Sequence, residues 1–454
     1  MLLALVLACS GSDPSETATD PTTTPSAALT GDSGDTSETV DSRDTRPVDS
    51  VGASTTADTA IDSTAGTADT GECDGVGCVV GYTSLGSFDR ATLQAVVDPR
   101  VQLTTGYEVF VVDYLTDAGG PSPVVATGTI TLPIDPLDGV PTDGWPVVLN
   151  AHGTIGVADD CRLSGTVSGS GLAGLFGGRG AIGVAPDYIG LGGPGDHHYL
   201  DLRDEAHAVL DGLRAAEHLA QLLGTPTSGR HAVVGLSQGG HATLAAATWH
   251  SRYAPELDIR AFAASGPASL YAEQWATGVL YPGAHMALHA LAAWSFTNKA
   301  GEDPAPLWAS GFDPVPHLTS RCGWDPAFTG DATLYDDFPQ VASSVFSADY
   351  LDAYTSLSFT GFEAVAEGFE ANRIRPWLDE GDQTAPIRIW QGDLDAVVPL
   401  WTTSQLVDDL SKGGIDVSMT VVPGGEHTTT AFGFVASYEL ATEESVAWVL
   451  DQVQ

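Results

Sequence analysis

The sequence predicts an α/β fold on a mostly parallel sheet, and three observations carry that expectation. Short apolar runs alternate with helix-forming stretches, the rhythm of a parallel sheet with helical crossovers. One β-branched run, His231–Leu236, meets Gly235-Leu-Ser237-Gln-Gly239 and passes directly into an Ala-rich helix former. With 43% hydrophobic residues and ten tryptophans in 454 residues, the chain can bury a large core.

Taken in order, Tyr107–Leu115 and Val124–Leu132 read as an antiparallel opening pair. Strands then follow at Pro146–Ala151, Ala181–Ala185, His231–Leu236, Ile259–Ala264, Pro386–Gln391 and Val417–Val422. Helices are expected at Glu205–Leu223, Gln238–His250, Thr402–Lys412 and Glu439–Val453. The interval from Gly266 to Pro386 breaks this rhythm.

Chemistry enters at Ser237. A G-x-S-x-G between strand and helix is the nucleophile elbow of the α/β-hydrolase fold. Gly235 and Gly239 lack a β-carbon, so strand and helix approach closely while Ser237 takes a strained backbone. A serine hydroxyl is inert without a base to take its proton and an acid to orient that base. In this fold the order along the chain is Ser, then Asp or Glu, then His. After His317 the chain holds one histidine, His427, on a loop past the run Val417–Val422. Two carboxylates close the preceding strand, Asp393 and Asp395. Asp395 is preferred, because Gly-x-x-Asp-x-x-Val-Pro sets it in the turn before a Pro-initiated helix. Asp393 is then a turn residue. The oxyanion donors are expected to be the backbone N–H of Gln238 and that of Thr154 after Gly153, in the loop closing Trp145–Ala151.

Here a family resemblance appears. Asn150-Ala-His-Gly-Thr, continuing to Cys161-Arg-Leu-Ser164, resembles the His-Gly-Thr…Cys-x-x-Ser block of the secretory lipases. Arg162-Leu163 stands where that family usually has Ala-Pro. Ala185-Pro-Asp187-Tyr188-Ile-Gly190-Leu-Gly192, Gly235-Leu-Ser237-Gln-Gly-Gly-His241 and Tyr253-Ala-Pro-Glu256-Leu257 are similar to further blocks. The resemblance runs from about Gly81 to the C-terminus. It implies an α/β-hydrolase fold, a mostly parallel sheet with helices on both faces and an inserted, mainly helical cap at about 268–384. It also implies a carboxylic ester hydrolase acting on small-molecule or lipid esters without metal or organic cofactor. Its nucleophile is Ser237, its acid Asp395 and its base His427. A serine peptidase and a non-catalytic binding protein are the competing readings. The cap interval holds Trp275, Leu280, Tyr281, Met286, Leu288, Leu291, Trp294 and Phe296. They form either an apolar lid and acyl-chain wall or the cap's own core.

The rest sets outer bounds. Residues 59 acidic against 17 basic give a net charge of -42, with lysine only at Lys299 and Lys412. Such a surface repels nucleic acid and anionic headgroups, which excludes nucleic-acid binding. Leu2–Ala8 is a short apolar run before Cys9, and Val6-Leu-Ala-Cys9 resembles a lipoprotein lipobox. Residues 1–9 are thus expected to be a lipoprotein-type signal, 10–72 a disordered acidic Ser/Thr-rich tether, and 73–454 the hydrolase domain. The expected location is exported, lipid-anchored at the cell envelope or secreted, with the membrane touched only through Cys9. The remaining cysteines, Cys73, Cys78, Cys161 and Cys322, are disulfide candidates with three possible connectivities. Cys73 with Cys78 and Cys161 with Cys322 is one of these. No C-x-x-C spacing suggests a metal, and His197-His198 with Asp196, Asp201 and Asp204 lacks a recognisable site spacing.

Overall fold

In the computed structural model the described residues are 73–270, 284–323, 338–376, 385–432 and 440–454. Cys9, the tether, Trp275, Leu280, Tyr281 and the expected helix start at Glu439 lie outside them.

A nine-stranded sheet runs in the order β1-β2-β3-β5-β4-β6-β7-β8-β9. Its strands are β1 Val79–Phe88, β2 Gly106–Thr116, β3 Val124–Ile134, β4 Trp145–Ala151, β5 Ile182–Pro186, β6 Thr227–Leu236, β7 Asp258–Ser265, β8 Ile387–Gly392 and β9 Val417–Val422. The opening strands pair antiparallel, as does β3 with β5. From β5 across to β9 every neighbouring pair is parallel. The α/β expectation therefore holds.

Alternation along the strands explains why both faces are covered. Val147 and Leu149 of β4, Val233 of β6 and Phe262 and Ala264 of β7 join one buried cluster. That cluster includes α3 (Leu202–Leu223), α4 (Gln238–Tyr253) and α8 (Leu400–Lys412). Val148, Ala232, Val234, Ala261 and Ala263 face the other way, onto α2 (Val167–Gly177) and α9 (Thr442–Val453). Successive side chains on a strand point to opposite faces, so apolar runs without alternation become strands buried on both sides.

Outside the β7–β8 segment, three elements were not expected from the sequence. Strand β1 carries Gly81 and Gly86 and pairs with β2 through two register shifts, so no clean period marks it. Helix α2 contains four glycines, which lowers its helical signal. Packing demands them: a β-carbon on Gly174 would lie 2.6 Å from the Tyr107 hydroxyl, and one on Gly177 2.4 Å from Thr131 Oγ1. After β1 comes the short helix α1 (Arg90–Gln94), capped by Asp89.

Between β7 and β8 the described residues form α5 (Ala284–Lys299), α6 (Ala348–Thr355) and α7 (Glu363–Asn372). Met286, Leu288, Leu291 and Phe296 of α5 join a separate cluster with Phe346, Tyr350, Tyr354 and Phe369. For these four, the structure favours the segment's own core over an exposed apolar wall. Both disulfides form, Cys73–Cys78 and Cys161–Cys322. The second ties the loop after β4 to this segment across a separation of 161 residues.

Candidate active site

In the sheet order, β4 has β5 on one side and β6 on the other. Chain connections leave such a point in opposite directions, which opens a crevice at the carboxyl ends of the strands. His152-Gly153-Thr154 follow β4 there, and Ser237 follows β6.

Ser237 has φ 60° and ψ -115°, a backbone state that non-glycine residues rarely adopt. Its N–H donates to Ser265 O at 2.9 Å, which anchors the bend on the end of β7. The flanking glycines are sterically required. A β-carbon on Gly235 would lie 2.3 Å from Gly239 O, and one on Gly239 would lie 1.9 Å from Ala151 O. The bend can thus form only where strand and helix backbones nearly touch.

Asp395 and His427 are brought together. His427 Nδ1 lies 2.8 Å from Asp395 Oδ2, and both side chains are buried. Asp395 Oδ1 accepts from the N–H groups of Val397 and Val398, at 2.9 and 2.8 Å. Oδ2 also accepts from Gln391 Nε2 at 3.1 Å, and Thr403 Oγ1 donates to Gln391 Oε1 at 2.6 Å. Gln391 was missed in the sequence because a glutamine closing a strand has no pattern of its own. Asp393 is exposed and accepts from Gly424 N at 2.7 Å, pinning the β8 loop to the β9 loop. Of the two competing carboxylates, Asp395 is the one bonded to histidine.

Gly266 joins the halves. It follows Ser265, and a β-carbon on it would stand 3.0 Å from Asp395 Oδ2 and 3.3 Å from His427 Nδ1. The residue next to the serine's backbone anchor is therefore packed against the carboxylate–imidazole pair.

The two expected oxyanion donors are each supported from behind. His152 Nδ1 donates to Gly153 O at 2.7 Å, a carbonyl being able only to accept. Burial pushes this imidazole toward its neutral form. Holding the Gly153 carbonyl fixes the plane of the peptide that carries the Thr154 N–H. Thr154 Oγ1 shares a 2.9 Å hydrogen bond with the Tyr199 hydroxyl. Behind Gln238, Glu205 Oε1 accepts from Gln238 Nε2 at 2.9 Å, and Glu205 Oε2 meets His241 Nδ1 at 2.5 Å. His241 Nε2 donates to Asn372 O at 2.8 Å. Burial raises Glu205; at His241 burial pulls down, and the Glu205 charge and hydrogen bond more than offset it.

His197 is likewise occupied. Its Nδ1 donates to Ile189 O at 3.1 Å and its Nε2 accepts from Gln238 Nε2 at 3.2 Å, and burial lowers it to about 3. His198 pairs with Asp204, which Lys299 also contacts. No cluster of potential metal ligands occurs among the described residues.

Comparison with known proteins bears on the fold and the family resemblance. The secretory lipase family pattern matches residues 175–281, which include Ser237. Lipase A of Moesziomyces aphidis is 27% identical over 240 residues; the match covers 52% of this chain and 48% of the lipase, so the chain spans about half the length of that curated relative. Among solved structures, the rice cell wall degrading esterase LipA from Xanthomonas oryzae superposes with a TM-score of 0.66 at 18% identity. That alignment covers 83% of this chain and 98% of the esterase. Candida antarctica lipase A in its closed state gives 0.57 at 18% identity, over 78% of this chain and 79% of the lipase. The chain is an α/β-hydrolase by fold, and its resemblance to the secretory lipases, read first from its motifs, is borne out.

Proposed function

We propose that the protein hydrolyses carboxylic esters through Ser237, His427 and Asp395. The observation that carries this reading is the buried Asp395–His427 pair packed on Gly266, next to the β7 anchor of the strained Ser237 bend. Ser237 Oγ attacks the ester carbonyl while His427 takes its proton, and Asp395 holds the ring and stabilises its charged form. The oxyanion accepts from the Gln238 and Thr154 backbone N–H groups. His427 then returns the proton to the leaving alkoxide, and the alcohol departs. Water, deprotonated by His427, cleaves the acyl-enzyme and restores Ser237.

The β7–β8 segment serves as a mainly helical cap over this centre in our reading, within a hydrolase domain spanning 73–454. Two disulfides fit an oxidising compartment, and no helix among the described residues is long and apolar enough to cross a membrane. Export with acylation at Cys9, and residues 10–72 as the tether, completes the reading. Mass spectrometry of the membrane fraction from producing cells checks it: a diacylglyceryl group on Cys9 is expected, and an unmodified or retained leader contradicts it.

A p-nitrophenyl ester series of rising acyl length tests the activity, with Ser237→Ala as control. Turnover in the parent is expected, with a loss of roughly four to six orders of magnitude in the variant and unchanged circular dichroism. Near-parental turnover by Ser237→Ala removes the nucleophile, and parental cleavage of peptides but not esters removes the substrate class.

A further inference from the structure

The fully buried Glu205–His241 pair has no step in the proposed reaction. An ionised carboxylate out of water is costly unless it is paired and hydrogen-bonded, so its placement calls for a physical reason. Glu205 sits in the first turn of α3, behind the Asp201 cap. Both of its oxygens reach the first turn of another helix, α4, at positions three residues apart. Residues so spaced share a helix face, so one rigid carboxylate can grip both. Gln238 is the residue whose backbone N–H faces the developing oxyanion in the proposed mechanism. Its two amide protons go to Glu205 Oε1 and to His197 Nε2, at 2.9 and 3.2 Å. His241 is in turn tied through Nε2 to the Asn372 carbonyl at the end of α7.

We infer that Glu205 is a positioning residue that clamps the first turn of the nucleophile helix and so fixes the direction of the Gln238 oxyanion donor. The α4 turn begins at a strained residue, and strain persists only where surrounding structure over-determines it. The clamp supplies that constraint through side chains that are all fully buried. Glu205 never touches substrate; it acts through the side chains of Gln238 and His241. A donor misdirected by a fraction of an ångström loses transition-state stabilisation while leaving substrate binding intact. This inference rests on the hydrolase reading, and the test separates the two.

Glu205→Met removes both acceptors at similar volume. Against a p-nitrophenyl ester its kcat is expected to fall about 10- to 100-fold with KM within about threefold. The thionoester of the same acid reports on the donors specifically, because its sulfur accepts N–H groups poorly. The parent's preference for the oxoester over the thionoester should shrink in step with the lost kcat. Equal falls on both esters, or an oxoester kcat within about twofold of the parent, overturn the clamp. If burial of an unpaired His241 prevents Glu205→Met from folding, Gln238→Met keeps the backbone N–H, removes the gripped amide, and is held to the same criteria. Hydrogen exchange of the peptide covering 237–244 is the readout independent of catalysis. Faster exchange in either variant supports the clamp, and parental exchange overturns it. A parent inactive on both esters defeats the hydrolase reading, and the exchange result still decides the clamp.

Discussion

Asp395–His427 and Glu205–His241 are one chemical unit in two settings. In each, an imidazole Nδ1 meets a buried carboxylate, at 2.8 and 2.5 Å. Asp395 and His427 lie on loops after β8 and β9, at the sheet end where Ser237 turns. Glu205 and His241 lie on facing helices, and the ring's second nitrogen is occupied by the Asn372 carbonyl. A base has to gain and lose a proton with each turnover, which suits a loop at a crevice. A ring bonded at both nitrogens inside a core is held in one charge state and serves as a fastener. Location separates the roles, whereas the pair itself does not. His231 with Glu217 is a variant: its Nε2, not Nδ1, lies 2.9 Å from a half-buried carboxylate, and His231 sits in β6 well before the Ser237 bend and fastens that strand to α3.

The contrast can be broken by neutralising one carboxylate at a time. Asp395→Asn should cost most, about 10⁴-fold in kcat, because the ring loses its orientation and its charged form loses its partner. A loss under tenfold would move the acid elsewhere. Glu205→Met ranks next, at the smaller factor given above. Asp393→Asn is expected to stay within about threefold, since an exposed turn carboxylate bonded to Gly424 N leaves the imidazole alone. Smallest is Glu217→Gln, with unchanged kcat and a pH-dependent loss of thermal stability. Burial raises Glu217, but the His231 and Thr227 hydrogen bonds prevail and its folded value is lowered. A depressed carboxyl stabilises above its unfolded value, about 4.3, and that contribution fades as pH falls through the folded value. The Tm gap between parent and variant should therefore be full at neutral pH and close in acid; a gap that widens below pH 4 contradicts the assignment.

Much of this was legible in the chain. Strands β4 through β8 announced themselves as apolar runs, because a parallel strand buried on both faces needs no alternation. The elbow was legible because steric demands at Gly235 and Gly239 leave few alternatives, and Asp395 because a proline starts the following helix. Helix α2 was hidden by glycines that satisfy neighbours distant in sequence, Tyr107 and Thr131, and strand β1 by the register shifts at Gly81 and Gly86. Gln391 and Glu205 were hidden for a related reason. Glu205 acts on residues brought near only by folding, Gln391 on Asp395 in its own loop, and neither carries a local pattern. The helix holding Glu205 was placed three residues late, since its true cap, Asp201, precedes a leucine and an arginine that did not read as helix.

The central claim is that the pair at the β8 and β9 ends activates Ser237. Fluorophosphonate labelling with peptide mapping tests it most directly, in the parent, Asp395→Asn and His427→Ala. The account predicts one adduct on Ser237 in the parent, formed at least about 10³-fold more slowly in both variants. An adduct on another serine, or parental labelling of Ser237 in His427→Ala, would contradict it.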